Sequence, residues 1–134
     1  MQPLVVRAVT SYRDPMTDTT ERVTEFFDGY GAALLARDAK AVAHLYAVPS
    51  LILFPGQSIP VTNLDQTEQF FAASWGQYEG IDAMDNSIHI IAETSHSVWA
   101  EVTWTYNGAP REHFCYQLVD NGEGYKIAVL TPMS

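Results

Sequence analysis

The sequence predicts an α+β domain, with helices gathered on one face of a curved antiparallel sheet. Three observations carry that reading. Val23, Phe26, Phe27, Tyr30 and Leu34 recur at helical spacing and form one apolar stripe. From about Ile81 the pattern changes to period two, the pattern of strands. The links within that second part are too short for anything but antiparallel neighbours. Helices first and a strand meander afterwards is the order of a two-layer α+β domain. A chain of 134 residues is one domain's worth.

Residues 1–16 stand apart, as an N-terminal arm or an edge strand, and Leu4–Val9 is apolar enough for either. A single domain is expected over 17–134. Asp18 with Glu21 three residues on has the form of a capping box, so the first helix is expected to start there. Glu21, Arg22, Glu25 and Arg37 fall largely on the far side of its stripe. Asp38 can cap a short second helix over Ala39–Tyr46, which Pro49 ends. Ser50–Phe54 and Gln57–Val61 read as short strands around a Pro55-Gly56 turn. Asn63 and Gln66 form another capping pair and open a third helix to about Gly76, with Leu64, Phe70, Phe71 and Trp75 on its apolar side. Four strands follow, at 82–93, 96–106, 111–120 and 124–131. Thr94-Ser95, Asn107–Pro110 and a turn around Asn121-Gly122 join them.

Composition excludes several classes of function. Hydrophobic residues make up 47% of the chain and charged residues 17%, which supports a real core and argues against disorder. A net charge of -9 repels a phosphate backbone or an anionic lipid surface, so neither nucleic acid nor membrane is an expected partner. The one cysteine, Cys115, excludes an internal disulfide. No apolar run approaches the roughly 20 residues of a membrane span, and the N-terminus lacks the apolar core of a signal peptide. The expected location is therefore cytoplasmic. There is no Gly-rich phosphate loop, no CxxC and no HExxH, and the histidines are far apart in sequence, so no metal and no cofactor are expected.

Link lengths also set a register, because paired residues of antiparallel strands point the same way. A four-residue link at 107–110 would pair Trp104 with His113, Val102 with Cys115 and Ala100 with Gln117. A two-residue link at 94–95 would pair His89 with Ala100, Ser87 with Val102 and Asp85 with Trp104. One face would then carry Asp85, His89, Val102, Trp104, His113, Cys115 and Gln117, suited to lining a pocket. The other would carry Trp99, Phe114 and Tyr116, an aromatic set suited to a homodimer interface.

Several segments carry a resemblance. Tyr30-Gly31-Ala32-Ala33-Leu34 through Asp38, Leu45-Tyr46-Ala47, Leu53-Phe54-Pro55, Phe70-Phe71-Ala72-Ala73-Ser74 and Trp104-Thr105-Tyr106-Asn107-Gly108 match in order, over roughly residues 20–131. On these the chain resembles the NTF2-like superfamily, in its ketosteroid isomerase and SnoaL-like branch. The resemblance implies a cone of curved sheet closed by three N-terminal helices. The isomerase works with a general-base aspartate and an oxyanion hole made of a tyrosine and a protonated aspartic acid. The resemblance puts the tyrosine at Tyr30. It puts the base at Phe54, so that base is missing, and the protonated acid at Gln117, a neutral donor. The Glu112-His113-Phe114 triplet falls outside the register of the Trp104–Gly108 match and is set aside.

Tyr30 and Gln117 would then donate to a carbonyl or phenol oxygen. His113 would be the acid–base group, with His89 and Asp85 as other candidates, since a histidine titrates near neutrality. Phe26, Tyr46, Phe54, Phe70, Phe71, Trp75, Val102, Trp104 and Cys115 would complete the lining. Each has an ordinary structural reading beside it: core aromatics, satisfied histidines, a small buried thiol. The expected ligand is a small apolar molecule with a carbonyl or hydroxyl, turned over by cofactor-free isomerisation, cyclisation or dehydration. The alternative is an association module without catalysis, its cone plugged by Phe54, Trp75 and Trp104.

Overall fold

The computed structural model describes residues 15–133, which form three α-helices, one 3-10 turn and six strands. The arm or edge strand expected over 1–16 lies, but for its last residues, outside them. Helix α1 runs over Pro15–Leu35, so Asp18 is inside the helix and not at its cap. Proline's fixed φ suits the first turn of a helix. Helix α2, Ala39–Ala43, is shorter than expected; its cap Asp38 accepts a hydrogen bond from the Ala41 N–H at 3.0 Å. Strand β1 takes over already at Tyr46 and runs to Phe54, with Pro49 inside it. Pro49 sits where β1 bulges away from its partner, and a proline there leaves no ladder donor missing.

Strand β2 spans Gln57–Val61, and helix α3 spans Leu64–Ala72. The Asn63–Gln66 capping box is formed, Asn63 accepting from the Gln66 N–H at 3.0 Å and Gln66 accepting from the Asn63 N–H at 3.2 Å. The helix stops short of Gly76, and a 3-10 turn follows over Trp75–Tyr78. Strands β3 (Met84–Glu93), β4 (Ser97–Tyr106), β5 (Ala109–Asp120) and β6 (Tyr125–Pro132) complete one sheet in the order β2-β1-β6-β5-β4-β3. The sheet is mixed rather than antiparallel throughout, because β1 lies parallel to β6.

The register differs from the expected one, with consequences for every face assignment. Asn107 and Gly108 both have positive φ, 50° and 84°, as a two-residue type I′ hairpin requires. That turn pairs Tyr106 with Ala109, a shift of two that would leave the faces alone. A bulge at Arg111 then moves the ladder back by one, pairing Trp104 with Glu112, Val102 with Phe114 and Ala100 with Tyr116. The β3–β4 link behaves the same way. Glu93 pairs with Val98, and a bulge at Ile91 then leaves Ile90 opposite Ala100 and Ile88 opposite Val102. A bulge adds one residue to one strand, and one residue turns every following side chain over.

The inner face therefore carries Ile88 and Ile90, Val98, Ala100, Val102, Trp104 and Tyr106, and Glu112, Phe114, Tyr116 and Leu118. Helix α1 lays Val23, Phe27, Tyr30 and Leu34 on it, each at most 2% exposed. Burying side chains of this size stabilises by about 1.5–3 kcal/mol each, so this stripe is the main hydrophobic anchor of the helix. Gly31 lets the helix approach: a Cβ there would stand 3.3 Å from Trp104 Cζ3. The 75–83 segment is strapped down from two sides. Arg37 donates to the carbonyls of Leu35, Tyr78 and Ile81. Asn107 accepts from the Asp82 and Ala83 N–H groups, both at 3.0 Å, and donates to the Gly80 carbonyl at 2.8 Å.

Candidate functional site

Between α1, α3 and the inner face of the sheet lies a cavity of about 210 Å³. Its deep wall is Tyr30 and Leu34 from α1 with Trp104 and Tyr116 from the sheet. Phe54, Phe70 and Phe71 close one flank, and Tyr78, Tyr106, Glu112 and Phe114 form the side toward solvent. The Phe54 and Phe70 rings are stacked with centroids 6.1 Å apart, and Tyr30 and Trp104 are tilted at 5.9 Å.

The polar groups of this wall come in pairs. Trp104 Nε1 donates to the Tyr116 hydroxyl at 2.8 Å, and the Tyr30 and Tyr46 hydroxyls lie 2.7 Å apart. Tyr106 donates to Glu112 Oε1 at 2.5 Å. Because Tyr116 accepts from the indole, its own proton is left to offer. Tyr30 is in the same position whenever Tyr46 donates to it. Tyr116 is thus a phenol donor backed by the buried indole, and Tyr30 is one in the arrangement where Tyr46 donates.

Burial is the first cause that raises every phenol here. Tyr30, Tyr46 and Tyr116 are held well above the ordinary tyrosine range, and their neighbouring phenols add to the effect. Tyr78 is pushed up to about 12 by burial and by the charge of Glu112. Tyr106 is raised by burial and then by its hydrogen bond to Glu112. Near neutrality these groups are donors and not bases. Among the described residues Glu112 is the one carboxylate of the cavity wall.

The structure brings together some of the expected residues and separates others. Tyr30, Phe54, Phe70, Phe71 and Trp104 line the cavity. Tyr46 stands behind Tyr30 as its hydrogen-bond partner. Val102 is buried on the inner face without reaching the cavity wall. Trp75 packs on Phe71 and Tyr78, and Phe26 stacks beside Tyr30, both off that wall. The bulges move Asp85, His89, His113, Cys115 and Gln117 to the outer face of the sheet. Asp85 and His89 are exposed there. His113 Nε2 is 2.8 Å from Glu101 Oε2, a partly exposed contact on the outer face. The Cys115 thiol is raised by burial and by Glu101. Phe114 and Tyr116, expected outside, are inside, and only Trp99 of that trio faces outward.

Sequence reasoning missed Tyr78, Tyr106, Tyr116 and Glu112. The Asn107-Gly108 dipeptide was the available signal, since it favours a two-residue hairpin; the bulge that follows has no comparable mark. Among the described residues no group of His, Cys, Asp and Glu is placed to hold a metal ion, and no helix is long and apolar enough to cross a membrane.

Comparison with known proteins agrees with this geometry. The family model of the NTF2-like protein family DUF6841 matches residues 20–134, and the chain belongs to that family. No curated protein sequence matches it significantly. Among solved structures, an NTF2-like protein of unknown function from Shewanella oneidensis MR-1 is similar at a TM-score of 0.68 and 13% identity, over 84% of this chain and 96% of that one. A protein from Novosphingobium aromaticivorans DSM 12444, proposed as a scytalone dehydratase, gives a TM-score of 0.66 and 12% identity, over 86% and 83%. A proposed calcium/calmodulin-dependent protein kinase II association domain from Xanthomonas campestris gives 0.63 and 17%, over 95% of each. At these identities the likeness is one of fold.

Proposed function

We propose that this NTF2-like chain binds a compact apolar molecule bearing a carbonyl or hydroxyl, and that it moves a proton on that molecule without a cofactor. The observation that carries the reading is one cavity lined by the Tyr30 and Tyr116 hydroxyls, Tyr116 backed by the Trp104 indole, and, among the described residues, by a single carboxylate, Glu112. The ligand oxygen would sit against Tyr30 and Tyr116. Glu112 would take the proton from a neighbouring carbon and return it to another, or to a departing hydroxyl. The first gives isomerisation, the second dehydration. Negative charge developing on the oxygen would meet two fixed donors in a water-poor site, where such hydrogen bonds count for most. The proposed scytalone dehydratase among the structural relatives is consistent with the dehydration form.

Volume narrows the ligand. A cavity of about 150 Å³ holds a benzene ring. One of about 210 Å³ takes a substituted ring or a small bicycle within its walls, and a four-ring steroid would have to project through the mouth. Together with Phe54 in place of a base, this argues against steroid isomerase activity. The plugged-cone alternative is disfavoured for the same reason. Phe54 and Trp104 form walls around a space rather than filling it, and Trp75 stands off the wall.

The test has a binding arm and a chemical arm. A naphthol should quench tryptophan fluorescence in the wild type and bind more weakly to Tyr30→Phe and Tyr116→Phe. In heavy water, a cyclic ketone such as 2-tetralone should exchange its α-protons with the protein present, followed by NMR. Glu112→Gln should slow that exchange by about 10²–10⁴-fold, the usual contribution of a positioned base. Binding without exchange would reduce the reading to a carrier; absence of both would end it.

A second reading concerns assembly. Trp99, 37% exposed, and Ile91, 52% exposed, leave apolar surface on the outer sheet face, and a homodimer through that face would cover it.

A further inference from the structure

At the mouth of the cavity is a polar vestibule of about 130 Å³. It shares Gln77, Tyr78, Tyr106 and Glu112 with the cavity and adds Arg111. The bulge makes this arrangement. Arg111 is the extra residue of β5, between the Thr105–Pro110 and Trp104–Glu112 pairs, so it stands beside Glu112 on the same opening.

Arg111 is also unusual among the basic side chains. The chain has seven of them, and Arg7 and Arg13 lie outside the described residues, which leaves five. Arg22 pairs with Asp120, Arg37 donates to backbone carbonyls, and Lys126 donates to the His44 carbonyl at 2.6 Å. Among the described residues Lys40 and Arg111 make no such bond, and of these two Arg111 is the one at the cavity mouth. Among the described residues it is the one cationic side chain lining the cavity or its vestibule, on a chain of net charge -9.

We propose that the ligand carries an anionic group, a carboxylate by chemistry, at the end opposite its ring oxygen. This rests on the reading of the cavity as a ligand site. The apolar body and its oxygen would enter toward Tyr30 and Tyr116, and the carboxylate would stay in the vestibule against Arg111 and the Gln77 amide. A guanidinium presents a planar fork that matches a carboxylate, whereas Glu112, engaged by Tyr106, repels an anion from the deeper position. The two ends of the molecule are thereby told apart, and the ring is held in one orientation relative to Glu112.

The experiment compares two ligands of equal body, 4-hydroxyphenylacetate and neutral 4-ethylphenol, by calorimetric titration of the full chain. The carboxylate should bind the wild type about fivefold more tightly, the scale of a rim ion pair, and should lose that margin in raised salt. Arg111→Gln should remove the margin and leave 4-ethylphenol within twofold of its wild-type affinity. Arg111→Lys should restore part of it. Arg111 is exposed, so none of these variants threatens the fold. Equal binding of the two ligands to the wild type, or a margin that survives Arg111→Gln, would overturn the anionic-ligand inference and leave the cavity reading standing. Binding of neither would overturn both.

Discussion

The Tyr116 hydroxyl accepts from Trp104 Nε1 inside the core, where both side chains are 1% exposed. Removing it leaves a buried indole N–H without a partner. Tyr116→Phe should therefore destabilise by about 1–3 kcal/mol, read from urea midpoints, besides weakening phenol binding. A pH series tests the buried phenols as a set. Tyr30, Tyr46 and Tyr116 all have folded-state values raised above the ordinary 10, chiefly by burial. Below pH ~10 folded and unfolded chains hold the same phenol protons, so these groups add no slope there. Above it the unfolded chain loses protons that the folded chain keeps, and stability must fall with rising pH. The wild type should show that fall beyond pH ~10. Tyr46→Phe should show a shallower one, whatever its stability at neutrality.

Helix α1 offers a cleaner test of packing, because two of its glycines differ only in what they face. Gly29 has open space around a built Cβ, whereas Gly31 has Trp104 Cζ3 at 3.3 Å. Gly29→Ala should stabilise by about 0.5–1 kcal/mol through helix propensity alone. Gly31→Ala gains the same propensity but presses on a ring fixed by packing and by its bond to Tyr116, so its thermal midpoint should fall below that of Gly29→Ala. The helices show why part of this architecture was legible in the sequence. Apolar spacing located α1, the Asn63–Gln66 pair located α3, and Tyr30, Phe54, Phe70, Phe71 and Trp104 reached the cavity wall. The sheet shows why the rest was not. Errors of two residues in the hairpin links were harmless to the faces, but the single-residue bulges at Ile91 and Arg111 turned over β3 and β5. His113 and Gln117 thereby left the cavity side, and Glu112 and Tyr116 took their place. A bulge depends on twist and packing across strands, and β5 has no local composition that marks one.

At the scale of the whole molecule, the described helices cover one side of the sheet. Among the described residues all three helices lie with the inner core, and the outer face of β3, β4 and β5 meets no other element. That face is largely polar, with Asp85, Ser87, His89, Glu101, Thr103, His113 and Gln117, yet Trp99 lies in it between Gln117 and Ala92, half-exposed. Trp99 with Ala92 and Val119 beside it, and Glu101 and Gln117 next to them, fits the anatomy of an association surface, an apolar anchor with polar groups around it. A two-fold dimer through this face would set the same patch against itself, and each copy needs about 800 Å² to make a stable pair. The wild type should sediment as a dimer at equilibrium. Trp99→Glu should sediment as a monomer while binding naphthol in the cavity as before, since Trp99 points away from it. A wild-type monomer at the highest soluble concentration would remove the dimer from the account. A Trp99→Glu protein that is monomeric and also loses naphthol would instead show that pairing shapes the cavity. The outer face would then belong to the functional site after all, by way of the sheet's curvature.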